Sequence, residues 1–300
     1  MERHTKMTQF AKYAEADCDG VNVLLEGPAG TGKTYAIGTL VELGLEVFYL
    51  ALEPGLESLL AFWADKGKPI PPNLHWHKMA APKASFADLA ESAKKVNTLT
   101  YDALTKIPDP NRGKHNQYVS MLENLANFHD QRTGQAYGSV DSWGADRVIV
   151  IDGMTGMGLA SMAMIIGGKP VRSQTDWGMA QDQLERALRM LADGCKCHFI
   201  LLAHVERETD QVLGGVKLMT STLGKALAPR IPAMFSDVIL TVRTGDKWSW
   251  DTSSPMADLK TRNLPIGANL PADFKPIIMK WCSRMDAALA VNAVPATAAQ

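Results

Sequence analysis

The chain has 300 residues, 46% of them hydrophobic and 21% charged, a composition that excludes wholesale disorder and is long enough to bury a full core. The formal net charge of -1 excludes a global positive field for nucleic acid, so any such contact has to be local or repeated along an oligomer. Cys18, Cys195, Cys197 and Cys282 are too few and scattered for a disulfide framework, and "CKC" lacks the second close pair of a zinc site.

A polar lead-in at 1–20 has no apolar signal segment, and no apolar run reaches the roughly 18 residues of a membrane span, so a cytoplasmic location without membrane contact is expected. A short helix is predicted over Thr8–Ala16. The run "VNVLLEG" reads as a buried strand ending at Gly27, followed by a helix over Thr34–Leu43 that stops at Gly44. "LEVFYLAL" is a second buried strand, closed by the turn "EPG". "HWH" at His75–His77 has no carboxylate or cysteine near it in sequence and reads as a surface strand, not a metal site.

"SFADLAESAKKV" reads as an amphipathic helix capped by Ser85. Residues 100–143 read as an insertion of polar, mobile loops, "IPDPNRGKHNQ" and "DQRTGQAYGSVDSWG", around a helical piece, "YVSMLENLANFH". "RVIVIDG" is the strongest strand signal, and "QTDWGMAQDQLERALRMLADG" the strongest helix, with Trp177, Leu184, Leu188 and Leu191 on one stripe. "CHFILLAH" and "SDVILTVRT" are further strands, "KWSWDT" with "MADLKTRN" reads as a hairpin, and 283–300 as a disordered tail. Apolar strands alternating with helices predict an α/β fold: a mostly parallel sheet covered on both faces, with antiparallel additions near the C-terminal end. Its core spans 21–282, interrupted by the insertion at about 100–145.

The chemistry is concentrated first in "GPAGTGKT", Gly27, Pro28, Ala29, Gly30, Thr31, Gly32, Lys33 and Thr34, which fits G-x-x-x-x-G-K-[ST] between a predicted strand and a predicted helix. The glycines let backbone NH groups and the helix start face a polyphosphate, with Tyr35 next in line. Lys33 neutralises phosphate charge and Thr34 offers a hydroxyl to Mg2+. Asp152, delivered by an apolar strand, is placed to hold the same metal, and Glu53, at the end of the strand after the loop helix, is a candidate general base for water.

In this order the motifs resemble the RecA-like recombinase core, in particular the small phage and bacterial ATPases associated with single-strand annealing recombination. The likeness runs from about Val21 to Ile277 and is weakest over Thr100–Trp143. It implies ATP as substrate, Mg2+, catalysis by Glu53 on "VFYLALEPGLESL", and a γ-phosphate-sensing role for His204 at the end of "FILLAHVERE". "ADLKTRNLP" resembles the K-x-[KR] segment that reaches a neighbour's nucleotide, which maps that role to Lys260 and Arg262; two apart, they would share one face of a strand. The implied partners are single-stranded DNA, further copies in a ring or filament, and a phage or host single-strand-binding protein, in the host cytoplasm.

Two loops, 153–173 and 205–225, are the expected DNA contacts, with Lys169, Arg172, Arg207, Lys217 and Lys225 as their cations. Neither contains an aromatic residue for base stacking, and their methionines read more readily as packing. A nucleotide-gated assembly or loading protein without its own DNA affinity remains an alternative. A small-molecule kinase is a weaker one, because no compact arginine cluster is available as a lid and the wide gap from Lys33 to Asp152 suits an added central strand of the ATPase type.

Overall fold

The computed structural model describes residues 9–79, 85–107, 115–167, 169–209 and 214–292. In chain order the elements are α1 (Ala11–Glu15), β1 (Asn22–Glu26), α2 (Lys33–Ala36), α3 (Gly38–Glu42), β2 (Glu46–Ala51), α4 (Leu56–Ala64) and β3 (Leu74–Lys78). Next come α5 (Phe86–Thr98), α6 (Tyr101–Thr105), α7 (Gln117–Ala126), β4 (Arg147–Asp152), α8 (Met154–Ile166) and α9 (Gln174–Asp193). They are followed by β5 (His198–Ala203), β6 (Val205–Thr209), β7 (Val216–Thr220), β8 (Asp237–Thr244), β9 (Lys247–Asp251), β10 (Leu270–Pro271) and α10 (Lys275–Asn292).

The main sheet has the order β10-β9-β8-β1-β5-β4-β2-β3. From β8 to β3 all pairings are parallel, and β9 and β10 add antiparallel edges. Because side chains alternate along a strand, each buried strand feeds two cores. Leu24, Phe48, Ile149, Ile151, Phe199 and Leu201 face one core, where α7, α8 and α9 pack. Val23, Leu25, Val47, Val148, Val150, Ile200 and Leu202 face the other, with α1, α3, α4 and α10. A central strand does separate β1 from β4, but it is β5, which follows Asp152 in the chain; β2, the strand in the gap that precedes Glu53, lies on the far side of β4.

Several expectations change. The helix after the phosphate loop breaks at Ile37, where Ile37 N donates to Thr34 O and Leu40 N to Ile37 O, three residues back rather than four. The N-terminal helix covers only Ala11–Glu15, and Thr8 lies outside the described residues. The hairpin at the C-terminal edge is β8–β9, whereas "ADLKTRN" forms a loop that meets β8 through one bridge, Val238 with Lys260. The tail reading fails for 283–292, which continue α10: Trp281, Met285 and Leu289 recur every four residues and pack on the core, while 293–300 lie outside the described residues.

The insertion divides. Positions 108–114 of its first loop lie outside the described residues. From Tyr118 onward it is built into the core, with Phe128 and Trp143 around Phe48 at ring distances of 5.1 and 4.2 Å. Asp130 is buried and accepts hydrogen bonds from the backbone of Arg132 and Trp76 and from the Thr133 hydroxyl. His75 bridges this aspartate at 3.1 Å and Glu46 at 2.8 Å, so "HWH" is half interior, held by carboxylates remote in sequence. α5 forms as predicted with a Ser85–Asp88 capping box, but Phe86, Leu89 and Val96 on it, and Leu99 just after it, are exposed.

Glu26, at the end of β1, is 1% exposed and accepts a 2.7 Å hydrogen bond from Thr220. Burial pushes its carboxyl up to about 7. A raised carboxyl holds its proton in the folded state after the unfolded chain has lost it, so stability falls as pH rises from about 4.5 and levels off above about 7. Glu26→Gln should flatten that fall by up to about 3 kcal/mol, read as the difference in urea midpoints between the two proteins at pH 5 and pH 8. Equal slopes would refute a protonated Glu26.

Candidate active site

The parallel strands end on one edge of the sheet, and the cleft forms there. β1 delivers Gly27 and the loop, β2 leads to Glu53, β4 ends in Asp152, and β5 ends one residue before His204. The loop curls through glycines in the left-handed region, Gly30 at φ +76° and Gly32 at φ +80°. Ala29–Tyr35, Glu53, Pro54, Gly55, Ser58, Ala61, Asp65, Asp152, His204 and Trp248 line a cleft of about 520 Å³, within the range of small-molecule sites.

Lys33 is buried, and its ammonium donates to the carbonyls of Gly27 and Pro28 at 2.8 and 2.9 Å. Burial lowers it to about 8, against the pull of Asp152 and Glu53. Thr31 donates to Pro28 O at 2.7 Å and meets the Thr241 hydroxyl at 2.6 Å, which ties the loop to β8.

Thr34 Oγ1 donates to Asp152 Oδ2 at 2.8 Å, and the Tyr49 hydroxyl donates to the same oxygen. Burial raises the Asp152 carboxyl above its usual range, an unfavourable charge that a divalent cation between Thr34 and Asp152 would relieve. The donor set, a hydroxyl and a carboxylate beside a phosphate loop, fits Mg2+. Among the described residues no group of three or more His, Cys, Asp or Glu is placed to hold a metal.

Glu53 Oε1 accepts from the backbone N of Gly156 at 2.8 Å, at the start of α8. His204 stands between the charged groups, with Nε2 3.4 Å from Glu53 Oε2 and Nδ1 3.5 Å from Lys33 Nζ. Gly153 allows this: a Cβ there would lie 2.8 Å from Glu53 Oε1.

Lys260 and Arg262 are both exposed and do not line the cleft. They do not sit on a strand. The segment wraps around buried Asp237, which accepts from Thr261 Oγ1 at 3.0 Å, Arg262 N at 2.8 Å, Asn263 N at 2.9 Å and Asn263 Nδ2 at 2.5 Å.

Of the two expected DNA loops, the first is mostly α8, with Met154, Met157 and Met162 buried; among its described residues 153, 167 and 169–173 lie outside the helix. The second is the β6–β7 hairpin, whose residues 210–213 lie outside the described residues. Lys217 pairs with Asp258 and Lys225 with Glu208, both at 2.8 Å, while Lys169 and Arg207 are exposed. Arg172 lies over the Trp177 ring at 5.6 Å, and Arg172, Trp177, Gln181 and Lys225 share one groove. An aromatic residue therefore does stand beside the loop cations, supplied by α9.

Tyr49, Thr241 and Trp248 are the site residues that sequence reasoning missed. The alternation in "VFYLAL", which sends Tyr49 and Ala51 to one face, was the one available signal for Tyr49.

A phosphate loop between strand and helix, with its threonine on a buried strand-end aspartate, defines a P-loop NTPase fold. The chain belongs to the AAA domain family AAA_24, which it matches over residues 19–262. Among solved structures it is similar to the RadB recombinase, at 14% identity and a TM-score of 0.33, over 83% of this chain and 85% of that one. It is also similar to an ATPase of the type III secretion system of pathogenic bacteria, at 14% identity and a TM-score of 0.32, over 75% and 53%. The flagellar accessory protein FlaH of Methanocaldococcus jannaschii matches at 12% identity and a TM-score of 0.26, over 78% and 76%. Likeness at this level says nothing of substrate or partner. Among curated proteins none matches significantly. No helix of the described residues is long and apolar enough to cross a membrane.

Proposed function

We propose that the protein is a RecA-like, Mg2+-dependent ATPase that acts on single-stranded DNA in phage recombination or strand annealing, with each ATP site completed by a neighbouring copy. The observation that carries the hydrolytic part is the convergence of Lys33, Thr34, Asp152, Glu53 and His204 on one cleft. Mg2+, held by Thr34 and Asp152, would neutralise charge on the phosphates. Glu53 is the acceptor for a proton from the attacking water, and His204, touching both Glu53 and Lys33, is placed to register the γ-phosphate. Lys260 and Arg262, exposed and outside their own chain's cleft, are assigned to a neighbour's site.

The DNA part is supported by the groove that joins Arg172, Lys225 and Trp177, because a cationic rim beside an aromatic face suits the backbone and bases of a single strand. A mobility-shift series with an oligonucleotide, with and without ATP and Mg2+, at low and moderate salt tests it. Binding should be stronger with ATP, weaken with salt, and fall about tenfold in Trp177→Ala. The pairing of Lys217 with Asp258 and Lys225 with Glu208 favours the second reading, an ATP-gated assembly protein without DNA affinity. ATP-dependent oligomers with no shift at any salt would establish that reading instead.

A further inference from the structure

One aromatic side chain in the cleft has no part in the chemistry above. Trp248 lies on β9, opposite Arg243 of β8, and is 39% exposed although it touches the phosphate loop. Its ring rests on Gly32 so closely that a Cβ at that glycine would meet it at 2.7–3.0 Å. It also packs against Tyr35, with ring centroids 4.9 Å apart, and Tyr35 in turn packs against Phe62 of α4 at 5.0 Å. Thr34 and Tyr35 continue the loop into α2; with Glu53, Asp152 and His204 assigned to the reacting end of the cleft, the group attached to the other end of a polyphosphate seated on Gly30–Thr34 would lie toward Tyr35 and Trp248. Trp248 lines the cleft together with Ser58 and Ala61 of α4 and Asp65 at the C-cap of that helix, spaced at three and four residues. Ala61 is small and half-buried, and Ser58 and Asp65 are polar and exposed.

We propose that Trp248 is the platform on which the nucleobase stacks, in a slot closed on the other side by the Ser58–Ala61–Asp65 face of α4. The inference rests on the nucleotide-binding reading of the same cleft and adds the residue that recognises the aromatic half of the nucleotide. A buried tryptophan would have no face to offer, and an exposed one away from the loop would be out of reach; Trp248 is held at the loop with part of its ring open. The phosphate contacts of the loop are independent of the base, so a ligand consisting of phosphates alone should be indifferent to this side chain.

The experiment measures binding of ATP and of inorganic tripolyphosphate, each with Mg2+, to the full chain and to its Trp248→Ala and Trp248→Phe variants by titration calorimetry. Trp248→Ala should weaken ATP about tenfold or more and change tripolyphosphate less than twofold, and Trp248→Phe should recover most of the ATP affinity. Retained tripolyphosphate binding also shows that the variant is folded. In the unmodified protein ATP, but not tripolyphosphate, should quench tryptophan fluorescence, and Trp248→Phe should lose that response. Equal weakening of both ligands would mean that Trp248 only shapes the loop through Gly32 and would overturn the proposal, as would unchanged ATP binding in Trp248→Ala. An unmodified protein that binds neither ligand would refute the underlying nucleotide site itself, a result separable from either of these.

Discussion

Replacing Glu53 by glutamine should lower ATP hydrolysis by about 10²- to 10⁴-fold while leaving ATP affinity nearly unchanged. The argument rests on what the substitution keeps. Glutamine has the same length, and its carbonyl oxygen can still accept the hydrogen bond from Gly156 N, so the start of α8 stays in place. What is lost is the carboxylate that faces His204 at 3.4 Å and, in the proposed mechanism, would take a proton from water. Steady-state phosphate release together with equilibrium nucleotide binding separates the two effects. Normal hydrolysis in Glu53→Gln would remove Glu53 from the mechanism. Lys33→Ala is the natural comparison, because it should lose binding and turnover together.

The second large effect is expected at Asp237, far from the cleft. This carboxylate is fully buried and holds the backbone NH groups of Arg262 and Asn263, the Thr261 hydroxyl and the Asn263 amide. Alanine would leave several of these donors buried without an acceptor, at a cost of about 3–5 kcal/mol. Thermal unfolding of Asp237→Ala should shift down by several degrees, and the loop that presents Lys260 and Arg262 should loosen with it. Lys260→Ala and Arg262→Ala are the controls: both side chains are exposed, so they should reduce hydrolysis without changing the melting point. Unchanged melting of Asp237→Ala would show that the loop is held by other means.

Local signals made much of the site readable. The loop, its flanking strand and "RVIVID" each declare themselves within a few residues, through glycine placement or an unbroken apolar run. Residues brought together by the order of the sheet were not readable. Tyr49 meets Asp152 because β2 lies beside β4, and Trp248 reaches Gly32 because β8 lies beside β1. Lys260 and Arg262 were assigned to a strand on their spacing, but a buried aspartate at the start of β8 organises them as a loop.

α8 was misread for a different reason. Expected as a DNA-contact loop, it is a helix that is apolar on most sides and largely buried, with Gly158 against Leu223 at a Cβ distance of 3.2 Å. Trp177 and Lys225, nearly fifty positions apart in the chain, show the same limit: neither segment alone signals that the two share one groove.

The position of β1 also bears on how the chain is made. Val23, Leu24 and Leu25 are wholly buried, and the strand that carries them is flanked by β5 and β8, one of which starts at His198 and the other at Asp237. On a ribosome adding about 5–20 residues per second, β1 would wait roughly ten to forty seconds for its last neighbour. During that interval an apolar parallel strand stands with both edges bare, so the nascent chain should be a strong client for chaperones, and the phosphate loop can close only after most of the protein has been translated.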